Sequence, residues 1–139
     1  MTDTMTALVQ PPHWTLLYAG LNVLVTFALS FMVGIQRMRA KVVFGAGAAG
    51  DTPLQRAIRA HGNNIEYVPL ILVLIALLEM TGQPVWLIHT LGAGLFVGRV
   101  AHGVGLSLSA GSSAGRGVGI LLTWIAMLVA AVWAIVAAL

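Results

Sequence analysis

Apolar residues dominate four stretches of this 139-residue chain, separated by short polar or glycine-rich links. The first runs roughly from Trp14 to Ile35, the second from Ile65 to Met80, the third from Val85 to Leu108 and the fourth from Val118 to Leu139. A full stretch holds about 20 residues. At about 1.5 Å per residue a helix of that length spans about 30 Å, the thickness of a bilayer's hydrocarbon core. The second stretch reaches this length only with a polar front end that starts near Pro53. Lipid gives the backbone no hydrogen-bond partners, so each span is predicted to be helical. The links after the second and third spans are short, which favours antiparallel neighbours. The expected fold is an all-α, four-transmembrane-helix up-down bundle, a single domain over 1–139.

Composition supports the membrane reading. Mean hydropathy is +0.96 and only 8% of residues are charged, against about a quarter in soluble domains. Seven Lys and Arg against four Asp and Glu are too sparse for the clustered basic face that nucleic acid requires. The chain has no cysteine, which excludes disulfides, thiolate metal ligation and a protein thiol nucleophile. Any thiol chemistry must come from a ligand's thiol, and no metal site is expected. The leader MTDTMT has no basic residue and the apolar run behind it is long, so the first span is expected to be a retained anchor. Basic residues set the orientation: Arg37, Arg39 and Lys41 follow the first span, Arg56 and Arg59 open the second, and Arg116 precedes the fourth. TGQP at 81–84 has none. Loops one and three are therefore expected on the cytoplasmic side and both termini on the other.

The first loop contains Gly45, Gly47 and Gly50, which spell G-x-G-x-x-G after KVVF. A dinucleotide fingerprint needs a strand before it, a helix opening on its last glycine and a parallel sheet around it. Asp51, Thr52 and Pro53 intervene here, so the glycines read as a flexible loop and Thr52-Pro53 as a helix start.

The front of the second span, RAIRAHGNNIEYVPL, carries the chemistry. At about 100° per residue, Arg56, Arg59, Asn63, Glu66, Tyr67 and Leu70 fall within a sector of about 100°. His61 lies nearly opposite, and Asn64 at an intermediate angle. Two readings compete. In one, Glu66 pairs with an arginine, Asn63 bonds across helices, and the set fixes the bundle's register. In the other, intramembrane ionisable groups mark a site for a polar, zwitterionic ligand, with Arg and Asn as donors and Glu as an acceptor for an ammonium.

The pattern Arg59-x-x-x-Asn63-x-x-Glu66-Tyr67-x-Pro69 ahead of an apolar run resembles the signature of the MAPEG family, the membrane-associated proteins of eicosanoid and glutathione metabolism. The resemblance covers essentially the whole chain and is greatest to small bacterial members. It implies a four-helix bundle assembled as a homotrimer, with glutathione as co-substrate bound between subunits near the cytoplasmic side. Arg59, Asn63 and Glu66 would contact glutathione, with Tyr67 adjoining. Arg37 matches a family arginine that also contacts it, although a snorkelling anchor is an equal reading. Arg56 shares the face but sits at the rim, where an anchor role also fits.

Glutathione suits such a stripe because it offers two carboxylates, an ammonium, two amides and a thiol. Its thiolate is the nucleophile. Lowering a thiol pKa by two units takes about 2.7 kcal/mol of differential interaction, within reach of one guanidinium in a dry site. The family places this role near the start of the fourth helix, where Arg116 is the candidate catalytic residue; a loop anchor is the alternative. On the third helix, Arg99 and His102 share a face and are candidate contacts. Val100 and Val104 stand where eicosanoid synthases carry tyrosines, a departure that weighs against eicosanoid chemistry. Thr90, Gly92, Gly94 and Gly98 suit close helix approach, within the chain or between subunits. His13 and His89 read as interfacial, and Glu79, off the stripe, is expected to face water.

The expected function is a membrane-bound, glutathione-dependent transferase or peroxidase that attacks a lipophilic electrophile or hydroperoxide. A non-catalytic scaffold or lipid-binding protein is the main alternative. A small transporter fits less well, for want of broken helix pairs and inverted repeats.

Overall fold

A computed structural model describes residues 11–109 and 111–139. The leader MTDTMT, used above to argue for a retained anchor, lies outside the described residues. Four helices account for most of the rest: α1 (His13–Ala40), α2 (Pro53–Met80), α3 (Val85–Leu108) and α4 (Ala114–Ala138). No strand occurs among the described residues. All four helices are long and apolar enough to cross a membrane.

The helix ends follow from local chemistry. Two prolines, Pro11 and Pro12, precede α1. It stops at Lys41, whose left-handed backbone (φ 54°, ψ 40°) turns its N–H onto the Arg37 and Met38 carbonyls. Thr52 caps α2 by accepting from the Gln55 N–H at 3.2 Å, with Pro53 in the first turn, where a missing N–H costs nothing. Ser113 caps α4 by accepting from the Arg116 N–H at 3.4 Å. That cap starts α4 at Ala114, ahead of the apolar run that begins at Val118. In the first loop Gly45, Gly47 and Gly50 all have positive φ (71°, 75° and 100°), a backbone that glycine adopts without strain. No strand precedes them, as a dinucleotide fingerprint would require.

Cross-helix contacts define the topology. The end of α2 meets the start of α1 through Glu79, and the end of α3 meets the start of α4 through His102 and Gly105. Trp133, late in α4, donates to Gln83 in the α2–α3 link at 2.8 Å. Successive helices therefore run antiparallel. Helices α2 and α3 each touch all three others, whereas α1 and α4 do not touch. The core follows from this: Val68, Ile71, Ile75 and Leu78 of α2 pack on Leu87, Ile88, Leu91 and Leu95 of α3, with Ala126 and Ala130 of α4. Helices α1 and α4 turn large side chains such as Leu24, Phe27, Leu128 and Ile135 outward, as lipid-facing helices do.

Glu79 corrects one expectation. It is buried rather than facing water, and its carboxylate accepts from the Trp14 N–H (2.8 Å), the Thr15 N–H (2.7 Å) and the Thr15 hydroxyl (2.6 Å). The first N–H groups of α1 have no partner within their own helix, and its N-terminal end attracts negative charge. A carboxylate borrowed from α2 meets both needs.

On α3, Gly92 and Gly98 allow close packing within the chain. A Cβ on Gly92 would strike the Tyr18 ring, and one on Gly98 would lie 3.0 Å from the Gly119 carbonyl. Across the contact, a Cβ on Gly119 would come within 2.5 Å of the His102 amide nitrogen and 2.6 Å of the Gly98 carbonyl. Gly94 has open space around it. Gly119→Ala is therefore expected to cost about 2 kcal/mol, the scale of overpacking against backbone. Gly94→Ala should be neutral or stabilising by up to about 1 kcal/mol through helix propensity. Denaturant unfolding of the two variants in detergent micelles distinguishes them.

Candidate functional site

Midway along the bundle, one guanidinium joins the helices. Arg99 of α3 is completely buried. Its Nε donates to Asn64 Oδ1 at 3.0 Å, its Nη2 to Asn63 Oδ1 at 2.9 Å, and its Nη1 to Thr123 Oγ1 at 3.5 Å. Asn64 passes the chain on, donating from Nδ2 to Thr26 Oγ1 at 2.8 Å, and Thr26 donates to the Asn22 carbonyl at 2.9 Å. Thr123 gives its own proton to the Gly119 carbonyl at 2.8 Å. The network thus runs from α1 through α2 and α3 to α4. Its acceptors are neutral, and no carboxylate pairs with Arg99 among the described residues. A guanidinium held in an apolar interior by neutral partners depends on all of them, since losing one leaves part of the charge without a hydrogen bond.

Asn63 and Asn64 are adjacent, about 100° apart on α2, yet one forked side chain reaches both. Asn64 faces inward, in line with the buried Ala57, Ala60, Val68 and Ile71. Asn63 lies at the boundary, half-buried, with its carbonyl turned to Arg99 and its amide N–H groups turned the other way.

Outside that boundary runs the charged seam. Arg59 and Glu66 are exposed, with side-chain accessibilities of 67% and 53%, and their Nη1 and Oε1 atoms are 4.0 Å apart. Tyr67 is half-buried beside them. At the α2 entrance, Arg56 is largely covered and holds Asp51 through its carboxylate and its carbonyl, each at 3.2 Å. The Arg56 Nε–H has no partner among the described residues. Arg56, Arg59 and Arg116 line one groove of about 350 Å³, together with Asp51, Gln55 and Leu106. Arg116 Nη1 also donates to the Gly111 carbonyl.

The structure brings together Arg56, Arg59 and Arg116 around the groove, with Asn63, Glu66 and Tyr67 on the seam that leads from it. Three expected contacts stand elsewhere. Arg37 donates to the Val43 and Gly45 carbonyls at 3.3 and 2.9 Å, tying the first loop to the end of α1. Arg99 occupies the buried hub. His102 is buried and bonds through Nδ1 to the Arg116 carbonyl at 3.1 Å, holding the start of α4 against α3. Asn64, Thr26 and Thr123, essential to the hub, carried no expectation. Asn64 could have been found by its register, four residues from both Ala60 and Val68 in the buried line of α2.

Groove and hub belong to a four-span helical membrane bundle with a polar seam along its second helix. The family model described as MAPEG family matches residues 15–136, and the chain belongs to that family. An inner membrane protein, YecN, of Escherichia coli strain K12 is 43% identical over 86 residues, which are 62% of this chain and 64% of that protein. The protein of the same name from Escherichia coli O6:H1 strain CFT073 matches to the same extent. The chain thus matches less than two thirds of the length of these relatives. No solved structure matches it.

The hub makes a specific stability prediction. Asn64→Leu, which leaves Arg99 without one of its acceptors, is expected to cost about 1.5–3 kcal/mol, the worth of a hydrogen bond to a charged group. Replacing both partners, Asn64→Leu with Arg99→Met, should recover a large part of that loss. Reversible unfolding in mixed micelles would check both values.

Proposed function

We propose that this chain is a membrane-bound enzyme that binds glutathione and activates its thiol for transfer to a lipophilic electrophile or for reduction of a lipophilic hydroperoxide. The observation that carries this reading is the convergence of Arg56, Arg59 and Arg116 on one groove, with Glu66 of the seam 4.0 Å from Arg59. Membership of a family named for glutathione metabolism supports it. In this reading Arg56 and Arg59 take the tripeptide's carboxylates. Glu66 accepts from the ammonium. Asn63, its carbonyl held by Arg99, offers its N–H groups to a peptide carbonyl. Tyr67 adjoins them.

Arg116 stabilises the thiolate. In the transfer reaction the sulfur lone pair forms the new S–C bond, the leaving group departs with its electron pair, and the thiol proton passes to solvent. The hydrogen bonds of Arg37 to loop carbonyls favour its role as an anchor, and Arg99 and His102 act as supports behind the site.

Arg59 and Glu66 open on the outer surface of the bundle, which suits a site completed by a second copy in a homotrimer. The relative's description as an inner membrane protein supports the same location here, and the basic residues of loops one and three favour the cytoplasmic side for them. The Arg99 hub favours a second reading for one residue only: Asn63 also contributes to stability, as a scaffold role would require.

Calorimetric titration of the detergent-purified protein with glutathione tests the proposal. Glu66→Gln and Arg59→Ala are each expected to weaken binding about 10- to 100-fold, the worth of one charge-assisted hydrogen bond. Arg116→Ala should retain most of the binding but lose the ultraviolet absorbance of the thiolate. No heat at millimolar glutathione, with helicity intact, would overturn the proposal.

A further inference from the structure

The arginine groove carries an anion of its own. Asp51 is the one carboxylate among its lining residues, alongside Arg56, Arg59 and Arg116. Its Oδ1 lies 3.2 Å from Arg56 Nη1, and the same Nη1 donates to the Asp51 carbonyl at 3.2 Å. The Arg56 side chain is only 17% accessible, against 67% for Arg59. A ligand carboxylate can therefore reach Arg59 directly, but it meets Asp51 at Arg56.

The chain around Asp51 is tied down on both sides. Arg37 holds the Val43 and Gly45 carbonyls, and Gln55 Nε2 donates to the Ala48 carbonyl at 2.6 Å. Downstream, Thr52 caps α2. Ala49, Gly50 and Asp51 lie between the last two anchors. Besides Arg56, the Thr52 N–H holds this short segment, through the Gly50 carbonyl at 3.0 Å. Gly50 is its hinge: it has a φ of 100° and open space around it. A swing about Gly50 carries the Asp51 carboxylate off Arg56 and leaves the start of α2 in place.

The magnitudes favour displacement. The Asp51 side chain is 52% accessible. Ion pairs so exposed shift an equilibrium by about fivefold at most. One nitrogen, Nη1, serves both contacts with Asp51, whereas an incoming carboxylate can take the bidentate geometry that guanidinium prefers. A neutral thiol has no charge to offer Arg56, so Asp51 keeps its place against it.

We infer that Asp51 is an internal competitor for the groove: its carboxylate holds Arg56 until a ligand carboxylate displaces it and the segment Ala49–Asp51 swings away. The inference rests on the glutathione reading of this groove and adds a residue that sets its affinity and its preference for anionic thiols.

The test is calorimetric titration with glutathione of the unmodified chain, Asp51→Asn, Arg56→Gln and the double variant. Asp51→Asn is expected to bind about fivefold more tightly, since the competitor is gone. Loss of a merely structural residue would not tighten binding. In the Arg56→Gln background the same change should gain nothing, because Arg56 is what Asp51 competes for. Asp51→Ala should repeat the Asn result, with helicity checked by circular dichroism. Equal or weaker binding by the helical Asp51 variants would overturn the inference and leave glutathione binding standing. A gain that persists with Arg56→Gln would also overturn it, since the groove's general field would then be the cause. No binding by any of these proteins would overturn the glutathione reading and this inference with it.

Discussion

A guanidinium sealed inside an apolar bundle must be given acceptors, and meeting the demand of Arg99 organises much of this structure. Removing such a charge from water costs several kcal/mol even after relaxation. Each hydrogen bond to it returns about 1.5–3 kcal/mol. Three acceptors, on α2 and α4, are therefore needed together, and they come into reach only when the helices are correctly rotated and close. Gly98 and Gly119, each without a Cβ, bring α3 and α4 near enough for Thr123 to meet Arg99. Asn64 then relays the network to Thr26 and so fixes α1, which has no contact with α4. The polar network specifies rotation and depth, which apolar packing in a lipid environment specifies weakly.

The same constraint shapes the surface that is proposed to bind ligand. Because Arg99 holds the Asn63 carbonyl, the Asn63 amide has one orientation rather than two. One polar step of α2 thus faces inward through Asn64 and the next faces the seam through Asn63. Arg56, Arg59 and Arg116 stay outside the hub and reach the groove from α2 and α4. Buried positive charge supports the structure, while Arg59 keeps its charge at the surface.

Much of this was legible in the chain because lipid imposes simple rules. Four apolar spans, their helical state and their short links follow from hydropathy and length. The line through Arg59, Asn63 and Glu66 follows from 100° spacing. Helix ends were less legible. Ser113 starts α4 ahead of its apolar run because capping is a local polar event that hydropathy does not register. Glu79 read as a solvent-facing residue because its partners, Trp14 and Thr15, are more than 60 positions away along the chain. Asn64 was placed between faces, and its role depends on the reach of a side chain from another helix. Arg37 and Arg116 each kept an anchor alternative because an arginine near a helix end looks the same in sequence whether it holds a loop or faces a groove. The structure separates their positions: Arg37 ties down a loop, while Arg116 both holds the Gly111 carbonyl and lines the groove.

The central claim is that the buried hub presents an accessible arginine groove built for glutathione. An electron cryomicroscopy map of the protein in nanodiscs saturated with glutathione tests it most directly. The account predicts tripeptide-shaped density against Arg56, Arg59 and Arg116, reaching Asn63 and Glu66, with Arg99 still enclosed by Asn63, Asn64 and Thr123. An empty groove at saturating ligand, or glutathione density on another face of the bundle, would contradict it.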